Sequence, residues 1–163
     1  MSVGDPLPAA ARAALAAWRA AGECIVFTNG VFDLLHRGHV EYLAEARALG
    51  QRLVVGVNSD ASTRRLKGAA RPIVAAADRV AVLAALAAVD LAVVFEEDTP
   101  ERLIRAVAPD VLVKGGDWSL DAIVGRDFVV SRGGRVLVIP VRAGFGTSAL
   151  VERIRAGRSA LEP

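Results

Sequence analysis

Short β-branched apolar runs alternate with longer segments rich in Ala, Leu and Arg along most of the chain. The alternation predicts a parallel sheet with helices on both faces, because strands buried on two sides read as continuous apolar runs. Five strands are expected, at 24–28, 52–57, 91–95, 111–113 and 135–139, all of them central or nearly so because none alternates strictly between apolar and polar. Helices are expected at 8–21, 38–49, 76–88, 100–108, 122–132 and 147–156, with Pro100 in a first turn capped by Thr99 or Asp98. Residues 58–75 break the rhythm with Arg64, Arg65, Lys67, Gly68, Arg71 and Pro72, and read as a short helix followed by a loop. The expected architecture is a doubly wound, five-stranded α/β sheet in one domain, with helix 8–21 preceding a core of about 22–156.

A doubly wound sheet binds its ligands beyond the carboxyl ends of the strands, where the strand order reverses. The loops that matter are therefore 29–37, 58–75, 114–120 and 140–146. Both histidines of the chain fall in or just beyond the first of them.

Composition narrows the classes further. The 163 residues are 53% hydrophobic and 23% charged, which suits one globular domain and excludes a disordered chain. A net charge of +2 without a basic run leaves no footprint for nucleic acid. The Ala-rich start contains Arg12, Trp18 and Arg19, so it reads as an amphipathic helix and not as a signal peptide. No stretch approaches the ~20 apolar residues of a membrane span, and a cytoplasmic location is expected, with no membrane partner. The single cysteine, Cys24, opens an apolar run and reads as a small buried residue.

After the first strand the chain runs Thr28-Asn29-Gly30-Val31-Phe32-Asp33-Leu34-Leu35-His36-Arg37-Gly38-His39 into a helix. Two histidines spaced i, i+3 at a helix N-terminus share a face on which unpaired amides and the helix dipole favour an anion, and a polyphosphate suits that geometry. Gly38 between them lets phosphates approach the backbone. The rival reading is a metal site, which only Asp33 or Glu41 could complete. Further along, Lys67 and Arg71 form a basic pair that either closes over phosphates or is a solvated loop. Lys114-Gly115-Gly116-Asp117 follows a buried strand and marks either a close approach to a ligand or a plain turn, and Trp118 beside it either stacks on a base or covers the loop. Gly144-Phe145-Gly146-Thr147-Ser148-Ala149 satisfies G-x-G-x-x-A but lacks the following strand that a dinucleotide site needs, so it is read as a helix start offering hydroxyls and amides.

The Asn29 to His39 motif resembles the cytidylyltransferase-type branch of the H-x-G-H nucleotidyltransferases, whose fold is Rossmann-like. Val57-Asn58-Ser59-Asp60-Ala61-Ser62, Arg65-Leu66-Lys67-Gly68, Arg71-Pro72, Phe95-Glu96-Glu97-Asp98-Thr99-Pro100 and Val113-Lys114-Gly115-Gly116-Asp117 resemble the adenylyltransferase domain of bacterial heptose-phosphate enzymes. The likeness spans about 22–156 and, with no room for the sugar-kinase domain often fused to it, points to a stand-alone form. It implies transfer of AMP from ATP to a heptose 1-phosphate, giving ADP-heptose and pyrophosphate for the lipopolysaccharide inner core. His36, His39 and Lys67 are the implied catalytic residues. Nucleotide contacts are implied for Thr28, Asn29, Gly30, Val31, Phe32, Asp33, Gly38, Lys114, Gly115, Asp117, Gly146, Thr147 and Ser148, and phosphate or acceptor contacts for Asn58, Arg71 and Arg79. For Arg79 an ion pair with Asp78 is the competing reading. Where the family shows Gly-x-Ser-Thr-Thr, this chain has Gly144-Phe145-Gly146-Thr147-Ser148, so the first hydroxyl is absent. Mg²⁺ is expected to arrive with ATP without a protein site of its own, and a homodimer or higher assembly is implied. Two other functions compete: a CTP-dependent enzyme acting on glycerol 3-phosphate or a similar alcohol phosphate, and a non-catalytic nucleotide sensor.

Overall fold

The computed structural model describes residues 5–116, 118–140 and 146–157. Its first half runs α1 (Ala9–Ala20), β1 (Ile25–Gly30), α2 (Arg37–Arg47), β2 (Arg52–Asn58), α3 (Asp60–Lys67), α4 (Ala76–Ala84) and β3 (Leu91–Phe95). The second half continues α5 (Glu101–Val107), β4 (Val111–Gly115), a 3₁₀ turn (Leu120–Ala122), α6 (Arg126–Ser131), β5 (Arg135–Ile139) and α7 (Thr147–Arg155). All pairings are parallel and the strand order is β3-β2-β1-β4-β5, so the order reverses between β1 and β4.

The period of two along each strand divides the core between the two faces. Phe27, Val54, Val93 and Leu112 pack with Leu15 of α1, with Leu103, Ile104 and Val107 of α5 and with Val129 of α6. Val26, Leu53, Val55, Val57, Val111 and Val113 pack on the opposite side with Leu43 and Ala46 of α2 and Leu83 of α4. Each strand is therefore apolar on both faces, which is why its sequence does not alternate.

Three expectations need correction. The strands β3 and β5 are edges of the sheet; their side chains join the apolar clusters on both faces, so each edge reads as apolar as a central strand. The expected helix 122–132 is a 3₁₀ turn and a short α6 separated by Gly125 at φ +87°, a left-handed conformation that interrupts any helix. Neither Thr99 nor Asp98 caps α5: Pro100 holds the N-cap position without a side-chain bond, and Asp98 instead accepts from Arg65 at 2.7 Å. The helix at 58–75 is present as α3, with the Ser59 hydroxyl accepting from the Ser62 amide.

Candidate active site

A cavity of about 880 Å³ opens at the carboxyl ends of the strands, centred on the reversal between β1 and β4. This is where a doubly wound sheet leaves a crevice, since the crossovers from adjacent strands depart to opposite faces. The turn between β1 and α2 forms its floor, and Asn29 to Asp33, His36, Gly38 and His39 all line it.

Within that turn Phe32 adopts φ +49°, which a residue with a side chain seldom takes and which marks a tightly determined loop. His36 occupies the N-cap position of α2, and its carbonyl accepts from the His39 amide at 2.9 Å. The two imidazoles stack with centroids 3.9 Å apart, and the Phe32 ring tilts against His39 at 5.5 Å. Burial lowers the pKa of both rings; for His39, burial and then the charge of His36 bring it down to about 4. Both are neutral at pH 7 and offer N–H donors and ring nitrogens instead of formal charge. Nδ1 of His39 is buried without a hydrogen-bond partner among the described residues.

Asp33 does not face the cavity as an open carboxylate. Its oxygens accept from the amides of Ile73 and Val74 at 2.8 and 2.9 Å and from the Arg71 guanidinium at 2.5 Å. Burial pushes its pKa up, but the two amides and Arg71 outweigh that and hold it below the ordinary carboxylate value. The side chain thus staples the β1–α2 turn to the segment before α4, and Arg71 is held at the cavity wall beside the histidines. Glu41 pairs with Arg37 at 2.6 Å, and among the described residues no three His, Cys, Asp or Glu side chains come together to hold a metal.

Arg79 corrects an expectation. It is buried and absent from the cavity lining; it donates to the carbonyls of Val74 and Val31 and to Asp60 Oδ1 at 2.9, 2.5 and 2.7 Å. It contacts neither phosphate space nor Asp78, because its fork is engaged in tying α4 to α3 and to the β1–α2 turn. Thr28 is a second correction: it is fully buried behind the cavity, and its hydroxyl bonds the Tyr42 hydroxyl at 2.6 Å.

From the β2 and β3 side, Asn58, Leu66, Lys67, Asp98 and Thr99 border the cavity, with Asn58 donating to Ser62 Oγ at 3.0 Å. On the β4 side stand Lys114, Gly115, Trp118, Ile123 and Val124. Lys114 lies 3.4 Å from Asn29 Oδ1 and 5.3 Å from the Trp118 ring centroid, and its burial lowers its pKa. Gly115 lines the cavity, and a Cβ there would come within 3.0 Å of the Tyr42 ring, so packing against a side chain is a second reason for a glycine besides the expected approach to a ligand. Gly146, Thr147 and Ser148 bring the start of α7 to the cavity, with Thr147 donating to the Leu34 carbonyl at 3.3 Å. Asp117 lies outside the described residues, as do residues 141–145.

Sequence reasoning missed Tyr42, which lines the cavity, and the apolar wall of Leu66, Ile123 and Val124. The signal for Tyr42 was available: it is the chain's single tyrosine, one helical turn after His39. The apolar wall carried none, since Leu66, Ile123 and Val124 look like core residues.

Residues 27–157 match the cytidylyltransferase-like family. Among relatives, the bifunctional protein HldE of Halorhodospira halophila is 57% identical over 162 residues, covering 94% of this chain and 34% of that protein. The bifunctional protein HldE of Alkalilimnicola ehrlichii is 59% identical over 143 residues, covering 88% of this chain and 30% of that protein. The chain thus spans about a third of the length of these curated relatives. A crystal structure of the lipopolysaccharide core biosynthesis protein from Thermoplasma volcanium superposes with a TM-score of 0.61 at 34% identity, covering 74% of this chain and 98% of that one.

Proposed function

This chain belongs to the cytidylyltransferase-like family of nucleotidyltransferase enzymes, and from that premise we propose that it transfers AMP from ATP to D-glycero-β-D-manno-heptose 1-phosphate, giving ADP-heptose and pyrophosphate. The observation that carries the reading is the convergence, on one cavity, of the His36–His39 pair at the start of α2, Lys114 at the end of β4, and the start of α7. The similarity to bifunctional HldE proteins and to a lipopolysaccharide core biosynthesis protein supports a heptose acceptor and a place in lipopolysaccharide inner-core assembly.

The chemistry fits such a site. An oxygen of the sugar phosphate, already an anion at neutral pH, attacks the α-phosphorus; the bond from that phosphorus to the bridging oxygen breaks, and pyrophosphate leaves. No strong base is needed, so the protein contributes alignment and stabilisation of developing charge. His36 and His39 donate hydrogen bonds to the triphosphate, Lys114 and Lys67 supply positive charge, and the amides at the start of α7 offer further donors.

No cluster of acidic or nitrogen ligands among the described residues fits a resident metal. Mg²⁺ enters bound to the ATP phosphates, where it neutralises their charge. The active unit is a homodimer or higher assembly working in the cytoplasm; no helix among the described residues is long and apolar enough to cross a membrane. The experiment is pyrophosphate release from purified protein supplied with ATP, Mg²⁺ and heptose 1-phosphate. Release that stops when the sugar phosphate is omitted or the metal is chelated supports the reading. Release that needs neither contradicts it.

A further inference from the structure

The two strands that flank the crevice are joined over only a short length. Strand β1 pairs with β2 as far as Gly30 opposite Val57, and β4 pairs with β5 as far as Gly115 opposite Ile139, but β1 meets β4 only at Val26–Val111 and Phe27–Leu112. Beyond Phe27 and Leu112 no backbone ladder sets the distance between them. That is the stretch that carries Asn29 on one strand and Lys114 on the other.

Tyr42 bridges this gap. Its hydroxyl bonds Thr28 Oγ1 at 2.6 Å, and its ring stands where a Cβ on Gly115 would come within 3.0 Å of Cε2 and 3.2 Å of Cζ. The same residue lies on α2, three positions after His39, so one side chain touches β1 and β4 and belongs to the helix that presents the histidines. A tyrosine ring is a stiff spacer with few torsions, and a buried hydroxyl needs a partner. Thr28, itself inaccessible to solvent, provides it.

We propose that Tyr42 is a positioning residue: its ring sets the width of the crevice between β1 and β4, and its bond to Thr28 fixes the histidine-bearing end of α2 relative to Lys114. The proposal rests on the nucleotidyltransfer reading of the site. It extends that reading to a side chain that acts through the placement of others.

A double-mutant cycle separates positioning from stability. Tyr42→Phe strands the Thr28 hydroxyl and Thr28→Val strands the tyrosine hydroxyl, so each single variant loses about 3–6 °C in Tm. The double variant removes both polar groups, and its Tm returns towards wild type. Its kcat, measured by pyrophosphate release, stays about tenfold below wild type, because the pin between α2 and β1 is gone and small misplacements are costly to an aligned reaction. Recovery of kcat together with Tm, or no loss of kcat in any variant, overturns the proposal. Calorimetric titration with ATP needs no acceptor and keeps this test separate from the parent reading. Should wild type bind ATP yet not turn over heptose 1-phosphate, a several-fold weaker ATP affinity in the double variant still supports the positioning role, and unchanged affinity overturns it.

Discussion

The imidazoles of His36 and His39 lie stacked, 3.9 Å between centroids and 27° between planes, across the first turn of α2. Two rings so close cannot both take a proton without repulsion, and burial opposes protonation of each. In the proposed reaction they would donate hydrogen bonds from neutral rings to a triphosphate that brings the negative charge.

This arrangement predicts how stability depends on pH. An unfolded histidine binds a proton below about pH 6.5, whereas His39 in the folded chain resists protonation down to about 4. Between these values the unfolded state holds more protons, so stability present above pH 6.5 is lost as pH falls towards 4. Asp33, whose folded pKa is lowered, keeps its contribution through that window and loses it only at still lower pH. Tm measured from pH 7.5 to 4 should decline, and His39→Gln should flatten the decline. An unchanged slope in that variant would remove the assignment.

His39→Ala is expected to reduce kcat at least ~100-fold if the ring stabilises charge in the transition state. The control is the Tm of the variant, which separates loss of chemistry from loss of fold. Activity like wild type would show that the pair serves packing alone.

Asp33→Asn should destabilise the protein by about 2–3 kcal/mol, because a side chain only 4% exposed loses one of the oxygens that hold two amides and a guanidinium. The damage should be local to residues 68–75, which limited proteolysis reads directly. Cleavage unchanged in that segment would mean the staple is not what holds it.

Much of this was legible in the sequence because short apolar runs alternate regularly with longer Ala, Leu and Arg segments. The strand positions 91–95 and 135–139 coincide with β3 and β5, since the apolar runs Leu91 to Phe95 after Asp90 and Val136 to Ile139 after Gly134-Arg135 leave little choice. The edge positions of β3 and β5 were hidden, because apolar character reports coverage by helices and not the number of neighbouring strands. The H-x-G-H turn was legible from spacing, and the cavity gathers it with Lys67, Arg71 and Lys114. The directions of Asp33, Thr28 and Arg79 were not legible, because a polar residue near a ligand loop serves the loop's own amides and carbonyls as readily as a ligand's phosphates. Only the three-dimensional pairing of Arg79 with Asp60 and Val31 distinguishes the two.

Arg79→Lys is accordingly a stability variant. An ammonium cannot reproduce a fork that reaches two carbonyls and a carboxylate at once, and a loss of about 2–3 kcal/mol is expected. Chemical denaturation should report that loss, with the affinity for ATP close to wild type. An intact stability with a large loss of ATP affinity would return Arg79 to the phosphate site.

The proposed reaction pairs ATP with a heptose phosphate in the crevice between β1 and β4. It is tested most directly by pyrophosphate release from ATP or CTP, each with heptose 1-phosphate or glycerol 3-phosphate, the nucleotide product being identified by mass. ADP-heptose, formed from ATP and heptose 1-phosphate with the other pairs much slower, is the predicted result. Turnover confined to CTP and glycerol 3-phosphate would contradict it.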